Sequence, residues 1–474
     1  MLVTILGIAE LIYVVGLATW ILFEKRSPVA TLAWILSLFA LPYVGFVLFF
    51  FLGPRRIVRK RLKHKRARGK FAAQNLPPWV APAVEADERV QQLVQLGVKS
   101  GEPPADTCAE ARILHSAEVT YETILEEIAK AKHHIHVAYY IFDARAGARV
   151  RDALIVKAKE GVTVRLLVDG VGSSLDRKFL KPLQEAGIKF ARFNPVALSR
   201  IRSRLDFRNH RKIVVVDGCV GFTGGINIAN EYLEAPTTKT GEKPPPPWRD
   251  THLMLRGDVV RWLQLVFLDD WFYATGFVPR EKEYFPPPSM EGEELVQIIA
   301  SGPDRDYEAI QKMYFAAIAT ARQRVYVTTP YFVPDDAVLT ALTTAALRGV
   351  DVRILVPRRS DSLVVTAAAR SYYDPILAAG GRVYEYQPTM IHAKTLLVDD
   401  FFSAVGTANM DNRSFRLNFE VTAVMYGPLH AEELAEAFRK DLRASKEIKV
   451  QARQNVPFHW RFLEAGARVL SPLL

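Results

Sequence analysis

Apolar and polar positions divide the chain into three patterns. The first is continuous: residues 2–23 and 29–52 are two apolar stretches, each long enough to cross a bilayer core of about 30 Å. The first has no basic leader and no small-residue cleavage site, so it reads as a permanent segment, not a removable signal. It carries Glu10, which in hydrocarbon must find a partner, reach the interface or take a proton. The second carries Pro42, which predicts a kink or a re-entrant path. The next pattern is broken. Residues 71–115, interrupted by Pro77-Pro78, Pro82 and Pro103-Pro104, read as a linker with one short helix marked by Val90, Leu93, Val94 and Gly97.

From about residue 116 helix and strand patterns alternate, and they alternate twice. A helix over Tyr121–Lys132 and a strand over His134–Tyr140 are matched by Tyr307–Ala321 and Arg324–Thr329. Glu160–Val168 is matched by Arg348–Val356, and Gly187–Pro195 by Gly381–Pro388. This order predicts two α/β halves, each with a largely parallel sheet. The first half also carries an insertion from Pro236 to Pro247, expected to be an exposed lid or membrane-facing loop. The aromatic residues Trp262, Phe267, Trp271 and Phe272 have helical spacing and read as core. His133, His134 and His136 read as packing or surface residues.

Each half then carries the same short pattern, His-x-Lys-x4-Asp: His210, Lys212, Asp217 and His392, Lys394, Asp399. A β-branched or leucine run separates Lys from Asp, which predicts a buried strand. His and Lys two apart on a strand face the same side. Seven residues past each Asp a small-residue turn ends in Asn, as Gly224-Gly225-Ile226-Asn227 and Gly406-Thr407-Ala408-Asn409. Such a turn permits close backbone approach, and the Asn amide can donate to an oxyanion. Further on, Asp250 and Glu420 occupy matching places at the start of a strand, where a partner for a histidine is expected. Tyr139 and Tyr331, at strand ends, are candidates to line the same site, and His252 shares a face with Asp250.

The paired motifs resemble the signature of the phospholipase D superfamily. With Glu24–Pro28, Tyr331–Pro334, Asn409–Ser414 and the ending Leu470–Leu474, the chain is similar to bacterial cardiolipin synthases over nearly its whole length. The resemblance implies two tandem phospholipase D-like α/β domains with pseudo-twofold symmetry, preceded by N-terminal transmembrane helices. The implied layout is 1–54 membrane helices, 55–115 basic juxtamembrane segment and linker, 116–290 first domain, and 291–474 second domain. It implies that the two motifs meet in one active site. His210, Lys212, Asp217, His392, Lys394 and Asp399 are then the catalytic set. Asn227, Asn409, Gly225, Thr407, Asp250 and Glu420 form the substrate-binding shell. The implied substrate is phosphatidylglycerol, with no cofactor or metal.

Charge sharpens this picture. The net charge is +11, yet Arg55–Lys70 holds ten Lys/Arg and no acid. Of 62 basic residues, 52 remain elsewhere against 51 acidic ones, so the folded body is close to neutral. A juxtamembrane basic cluster suits anionic lipid headgroups, whereas a nuclease spreads positive charge over its catalytic face. Nucleic acid is therefore not the expected partner. Lys25 and Arg26 alone stand between the apolar stretches, against ten basic residues after the second. The positive-inside bias then places the body on the cytoplasmic side of the bacterial inner membrane, as a multi-pass protein. Two cysteines, Cys108 and Cys219, cannot build a disulfide framework and suit a reducing compartment. Nothing in the sequence specifies an oligomeric state.

The chemistry these groups can perform is a two-step transfer at phosphorus. One neutral histidine attacks, and the other, protonated, serves the leaving alkoxide and then the incoming alcohol. Lysines and asparagines stabilise the charge that develops, and Asp250 and Glu420 orient and tune the imidazoles. On this reading His210 forms a phosphatidyl-histidine, glycerol leaves, and His392 activates a second phosphatidylglycerol. The near-symmetry of the motifs leaves the reverse assignment open, and phosphatidylethanolamine is open as donor or acceptor. The alternatives are a phospholipase D that hydrolyses lipids to phosphatidic acid, a nuclease of the same superfamily, and a scaffold with inert motifs.

Overall fold

The computed structural model describes residues 2–23, 28–41, 43–45, 87–194, 207–233 and 246–473, apart from positions 278, 280, 290, 291 and 306. The chain divides into an N-terminal helical unit and a large α/β unit. In the first, helices span Leu2–Leu22 and Pro28–Ala40, and Ile21 and Leu38 are buried together. The second helix stops after thirteen residues, where Leu41 bends ahead of Pro42. The interruption expected at this proline is therefore present, and the span expected over 29–52 is not one continuous helix. Among the described residues no helix is long and apolar enough to cross a membrane. The basic cluster 55–70 and most of the Pro236–Pro247 insertion lie outside the described residues.

The α/β unit holds two large sheets. The strands of the first half are β2 (Glu110–Leu114), β3 (His134–Tyr139), β4 (Thr163–Asp169), β5 (Lys189–Phe193), β6 (Ile213–Val216), β7 (Val220–Gly224) and β8 (His252–Arg256), ordered β2-β8-β7-β6-β3-β4-β5. Those of the second are β9 (Glu294–Ser301), β10 (Arg324–Thr328), β12 (Asp351–Pro357), β13 (Arg382–Tyr386), β14 (Thr395–Val398), β15 (Phe402–Gly406), β17 (Glu420–Tyr426) and β18 (Ser445–Ile448). With β1 (Asp106–Cys108) they form the order β1-β9-β17-β15-β14-β10-β12-β13-β18. The short strands β11 (Phe332–Val333) and β16 (Met410–Asp411) pair separately. The shared core order, β2-β8-β7-β6-β3-β4-β5 against β9-β17-β15-β14-β10-β12-β13, is the structural form of the sequence repeat.

Two expectations are corrected here. The sheets are mixed: β3, β4 and β5 run parallel, but β6, β7 and β8 are antiparallel. Each motif strand returns through a tight turn at its aspartate, and a turn that short cannot carry the crossover a parallel pair requires. The linker assigned to 55–115 also contains structure. The expected helix is present at Glu88–Lys99, with Val90, Leu93 and Gly97 buried. After it, β1 joins the second sheet and β2 the first, so the repeat begins one strand earlier than residue 116. Trp262, Phe267 and Trp271 are buried on the helix Val260–Thr275, as expected, while Phe272 is half-buried. The two domains meet through matched backbone bridges, Asn209 to Phe419 and Arg249 to Ile391.

Candidate active site

The first motif strand is buried from end to end and the second is buried apart from half-buried Thr395, as their apolar runs require. Their two ends do different things. At one end His210 and His392 line a single cavity of about 390 Å³ together with Asn227, Asn409, Trp248 and Tyr331. The other end carries the aspartates, and there the catalytic assignment of Asp217 and Asp399 is corrected. Asp217 accepts from the amides of Lys132, His133 and His134 at 2.8, 2.8 and 2.9 Å. Asp399 accepts in the same way from Arg322, Gln323 and Arg324 at 2.9, 2.8 and 3.0 Å. Both sit in the left-handed region, with φ of 52° and 51°. An aspartate tolerates that conformation, and its carboxylate collects the amides opening the neighbouring strand. Four residues of extended chain stand between each aspartate and its lysine, a separation of about 16 Å.

Backbone bridging sets the histidines. The His210 amide donates to the Phe419 carbonyl at 3.0 Å, and the His392 amide to the Arg249 carbonyl at 2.7 Å. Phe419 precedes Glu420 and Arg249 precedes Asp250, so each bridge brings a histidine of one domain against the carboxylate of the other. His210 Nδ1 lies 3.0 and 2.9 Å from the two oxygens of Glu420. His392 Nδ1 lies 2.8 Å from Asp250 Oδ2. A buried carboxylate facing Nδ1 fixes the proton of a neutral ring on that nitrogen and leaves the Nε2 lone pair for the cavity.

The two carboxylates are held differently. The Tyr232 hydroxyl donates to Asp250 Oδ2 at 2.9 Å and lies 2.7 Å from His392 Nδ1. A Cβ on Gly225 would stand 2.0 Å from Asp250 Oδ1. Gly225 is thus not a substrate contact; it makes room for the carboxylate. In the second domain Thr407 takes this place and donates its hydroxyl to Glu420 Oε2 at 2.5 Å, while Asn418 donates to Oε1 at 3.2 Å. Arg211, inside the first motif, bonds the Glu420 carbonyl at 3.0 Å and Asp270 at 2.5 Å, fastening the first motif to the second domain.

Both lysines are buried behind their histidines. Lys212 Nζ donates to the His210 carbonyl at 2.8 Å, and Lys394 Nζ lies 2.7 Å from His392 Nδ1. Burial, then repulsion from Lys394, pushes Lys212 down to about 7. Burial brings Lys394 to about 8, against the pull of Asp250 and Glu420. Burial lowers His210, and Glu420 opposes it; burial and then Lys394 lower His392 to about 3. Burial alone would raise the two carboxylates. The cations around them prevail, Lys394 and His392 at Asp250, His210 and Lys212 at Glu420, and both stay below their ordinary range. Burial thus pushes both imidazoles toward the neutral form and both lysines toward losing their protons, while the neighbouring cations favour ionised Asp250 and Glu420.

Asn227 receives the Ile141 amide on Oδ1 at 3.3 Å, which leaves its NH₂ group for the cavity. Asn409 instead hydrogen-bonds Asp411 through its side chain, so the two asparagines are not equivalent donors. Tyr331 lines the cavity as expected, but Tyr139 does not: it packs in the core of the first domain, and the next residue, Tyr140, lines the cavity instead. Successive strand residues face opposite ways. His134 and His136 are buried around Gln264, while His133 is exposed. His252 is buried outside the cavity lining, with the Gly224 backbone pressed on its ring. Tyr232, Trp248, Arg208 and Arg413 were not singled out from sequence. Tyr232 follows Asn227 by five residues and has no aromatic counterpart after Asn409, so the repeat gave no signal for it.

Residues 124–237 and 314–442 match the family described as cardiolipin synthase, PLD-like domain, and residues 11–54 match the phospholipase D-nuclease N-terminal family. The chain belongs to the cardiolipin synthase family. It is 42% identical to a cardiolipin synthase of Geobacillus sp. (strain WCH70), over 97% of this chain and 92% of that one. It is 40% identical to cardiolipin synthase 1 of Bacillus anthracis, over 100% and 94%. Among solved structures, phosphatidylserine synthase from Haemophilus influenzae Rd KW20 shares the fold, with a TM-score of 0.60 at 15% identity, covering 81% of this chain and 100% of that one. Family membership makes the chain a phosphatidyltransferase of the phospholipase D type, and the cross-paired histidines lie within the matched segments.

Proposed function

We propose that the cavity joins two phosphatidylglycerol molecules into cardiolipin and releases glycerol, by way of a phosphatidyl-histidine. The observation that carries this is the meeting of two imidazoles in one cavity, each with Nδ1 on a carboxylate of the opposite domain. His210 Nε2 attacks phosphorus, and the bond to the glycerol headgroup oxygen breaks as His392 delivers a proton to that oxygen. The ring positive charge left on His210 after attack is met by both oxygens of Glu420, which supports His210 as the nucleophile. Binding of the phosphodiester anion offsets the neighbouring lysine charge and raises the basicity of His392, so His392 takes up a proton on Nε2 with the substrate and becomes the acid that the leaving oxygen needs. In the second step His392 takes a proton from the free hydroxyl of another phosphatidylglycerol. Its oxygen attacks phosphorus, the P–N bond breaks, and His210 returns to neutral.

Lys212 and Lys394 supply a positive field in a water-poor site, where charge acts strongly. Asn227 donates to a non-bridging oxygen, and Asn409 reaches the phosphate on release from Asp411. The two apolar N-terminal stretches anchor the chain in the bacterial inner membrane, and the basic cluster 55–70 lies against anionic headgroups with the catalytic body in the cytoplasm.

The test is the full chain in liposomes with phosphatidylglycerol alone and a chelator. Cardiolipin and free glycerol in equal amounts are expected. Phosphatidic acid without cardiolipin would make the enzyme a hydrolase. In the His392→Ala variant, alkaline quenching and peptide mass spectrometry should find the phosphatidyl adduct on His210; an adduct recovered on His392 of His210→Ala instead would reverse the roles.

A further inference from the structure

The C-terminal helix, Phe458–Val469, buries only Glu464 and Ala467. It is nevertheless firmly held. Arg453 donates to Glu464 at 3.0 and 2.7 Å and to Asp374 at 2.8 Å. Ala467 belongs to the core of the second domain. Just beyond the helix, the Tyr372 hydroxyl donates to Ser471 at 3.0 Å. Along its length the helix packs against the helix Leu363–Arg370.

On this fixed element large apolar groups face outward. Phe458 is 81% exposed, Phe462 72% and Trp460 51%. The adjoining helix adds Leu363, 82% exposed, and Val364. Hydrophobic side chains scattered singly need no explanation, but Phe458, Phe462 and Val469, the last 77% exposed, recur four and seven residues apart and share one face of the helix. The surrounding charges are mainly basic, with one exposed acid, Asp361, whose carboxylate accepts from the Tyr331 hydroxyl. Glu464, the only acid on the C-terminal helix, is buried, while Arg461 and Arg468 are exposed. Arg358 and Arg359, just ahead of Leu363, are exposed too. Aromatic and aliphatic groups flanked by arginine are the composition of a helix lying in the headgroup region of an anionic bilayer. The set is also continuous with the site: Leu363 and Val364 stand between Ser362 and Val365, both of which line the cavity.

We propose that Phe458, Phe462 and Val469, with Leu363 and Val364, form a second membrane contact, on the catalytic body itself, which seats the wall of the cavity against an anionic lipid surface. This rests on the reading of the cavity as a site for lipid headgroups. It gives that site a route for substrate: lipids enter from the plane of the bilayer without crossing water.

The test uses the full chain in phosphatidylglycerol proteoliposomes. A Phe462→Cys substitution, in a Cys219→Ser background because Cys108 is buried, carries a bimane label. Doxyl-labelled lipids should quench it and aqueous iodide should not. In parallel, the combined Phe458→Ser, Phe462→Ser and Val469→Ser variant should lose roughly ten-fold in turnover of vesicle phosphatidylglycerol, with unchanged turnover of a dispersed short-chain analogue. Free access of iodide with no doxyl quenching would overturn the proposal. So would unchanged turnover on vesicles, or an equal loss on both substrates. Shielding of the label without lipid, together with cross-linking between chains, would assign the face to a second copy and overturn it as well. Should the unaltered chain make no cardiolipin, the label still reports the contact, so the two readings fail separately.

Discussion

The two histidine–carboxylate pairs are related by the repeat, yet they are built differently. His210 has Glu420 to itself, through both oxygens, and Glu420 is steadied by Thr407 and Asn418. His392 shares Asp250 with Tyr232 and has Lys394 close to the same ring nitrogen. The shorter Asp250 side chain needs an empty position at Gly225, whereas the longer Glu420 faces a threonine that bonds it. A duplicated scaffold thus carries two imidazoles into one cavity in unequal surroundings. Unequal surroundings are what a reaction needs when one histidine must attack and the other must carry a proton.

The largest effect should come from the carboxylates. Asp250→Asn and Glu420→Gln are each expected to lower kcat by roughly 10²–10⁴-fold, because the amide can stabilise the wrong tautomer and cannot stabilise an imidazolium. If the pairs differ as proposed, Glu420→Gln slows the first step, in which the adduct forms as glycerol leaves, whereas Asp250→Asn slows that step and acceptor attack alike; rapid-quench measurement of adduct formation and decay separates them. Gly225→Ala comes next, with an expected loss of roughly 10²-fold, since its Cβ falls 2.0 Å from Asp250 Oδ1 and displaces the carboxylate by a distance that catalysis does not tolerate. Its counterpart Thr407→Ala removes the hydroxyl that bonds Glu420 and accepts from the Val421 amide but forces no atom into the carboxylate, so about ten-fold is expected. Equal losses in steady-state assays of the two variants would erase the distinction between the domains.

A pH profile tests the lysines. With Lys212 near 7 and Lys394 near 8 in the free site, kcat/KM should fall as pH rises through this range, because deprotonation removes the positive field that meets the phosphodiester. Bound anion raises both values, so the limb in kcat should lie at higher pH. A flat profile from pH 6.5 to 9 would remove the lysines from the electrostatic role. The smallest effect on turnover is expected at the far end of the motif. Asp217→Ala strips three amides of their acceptor and should cost about 2–4 kcal/mol of stability. Calorimetry should show a lower Tm, while kcat at low temperature stays near normal. A kcat loss matching that of Glu420→Gln would return Asp217 to the chemistry.

Sequence alone determined the repeat, the buried motif strands, the helix at 88–99 and the candidates His210, His392, Asp250 and Glu420. All of these are written in local spacing and in its recurrence. It could not separate the roles within His-x-Lys-x4-Asp, because a pattern records which residues recur and not which way each end of a strand points. Only the tertiary structure decided that each histidine pairs with the carboxylate of the other domain, 210 and 142 residues away, and that the motif aspartates anchor backbone amides. It alone placed Tyr232 beside His392, and it left Phe458 and Phe462 outward when their i, i+4 spacing permits a buried face. Contacts at such separations exist only once two sheets have closed on each other. A linear pattern carries the propensity of each strand; the bridges at Asn209–Phe419 and Arg249–Ile391 set which side chains then meet.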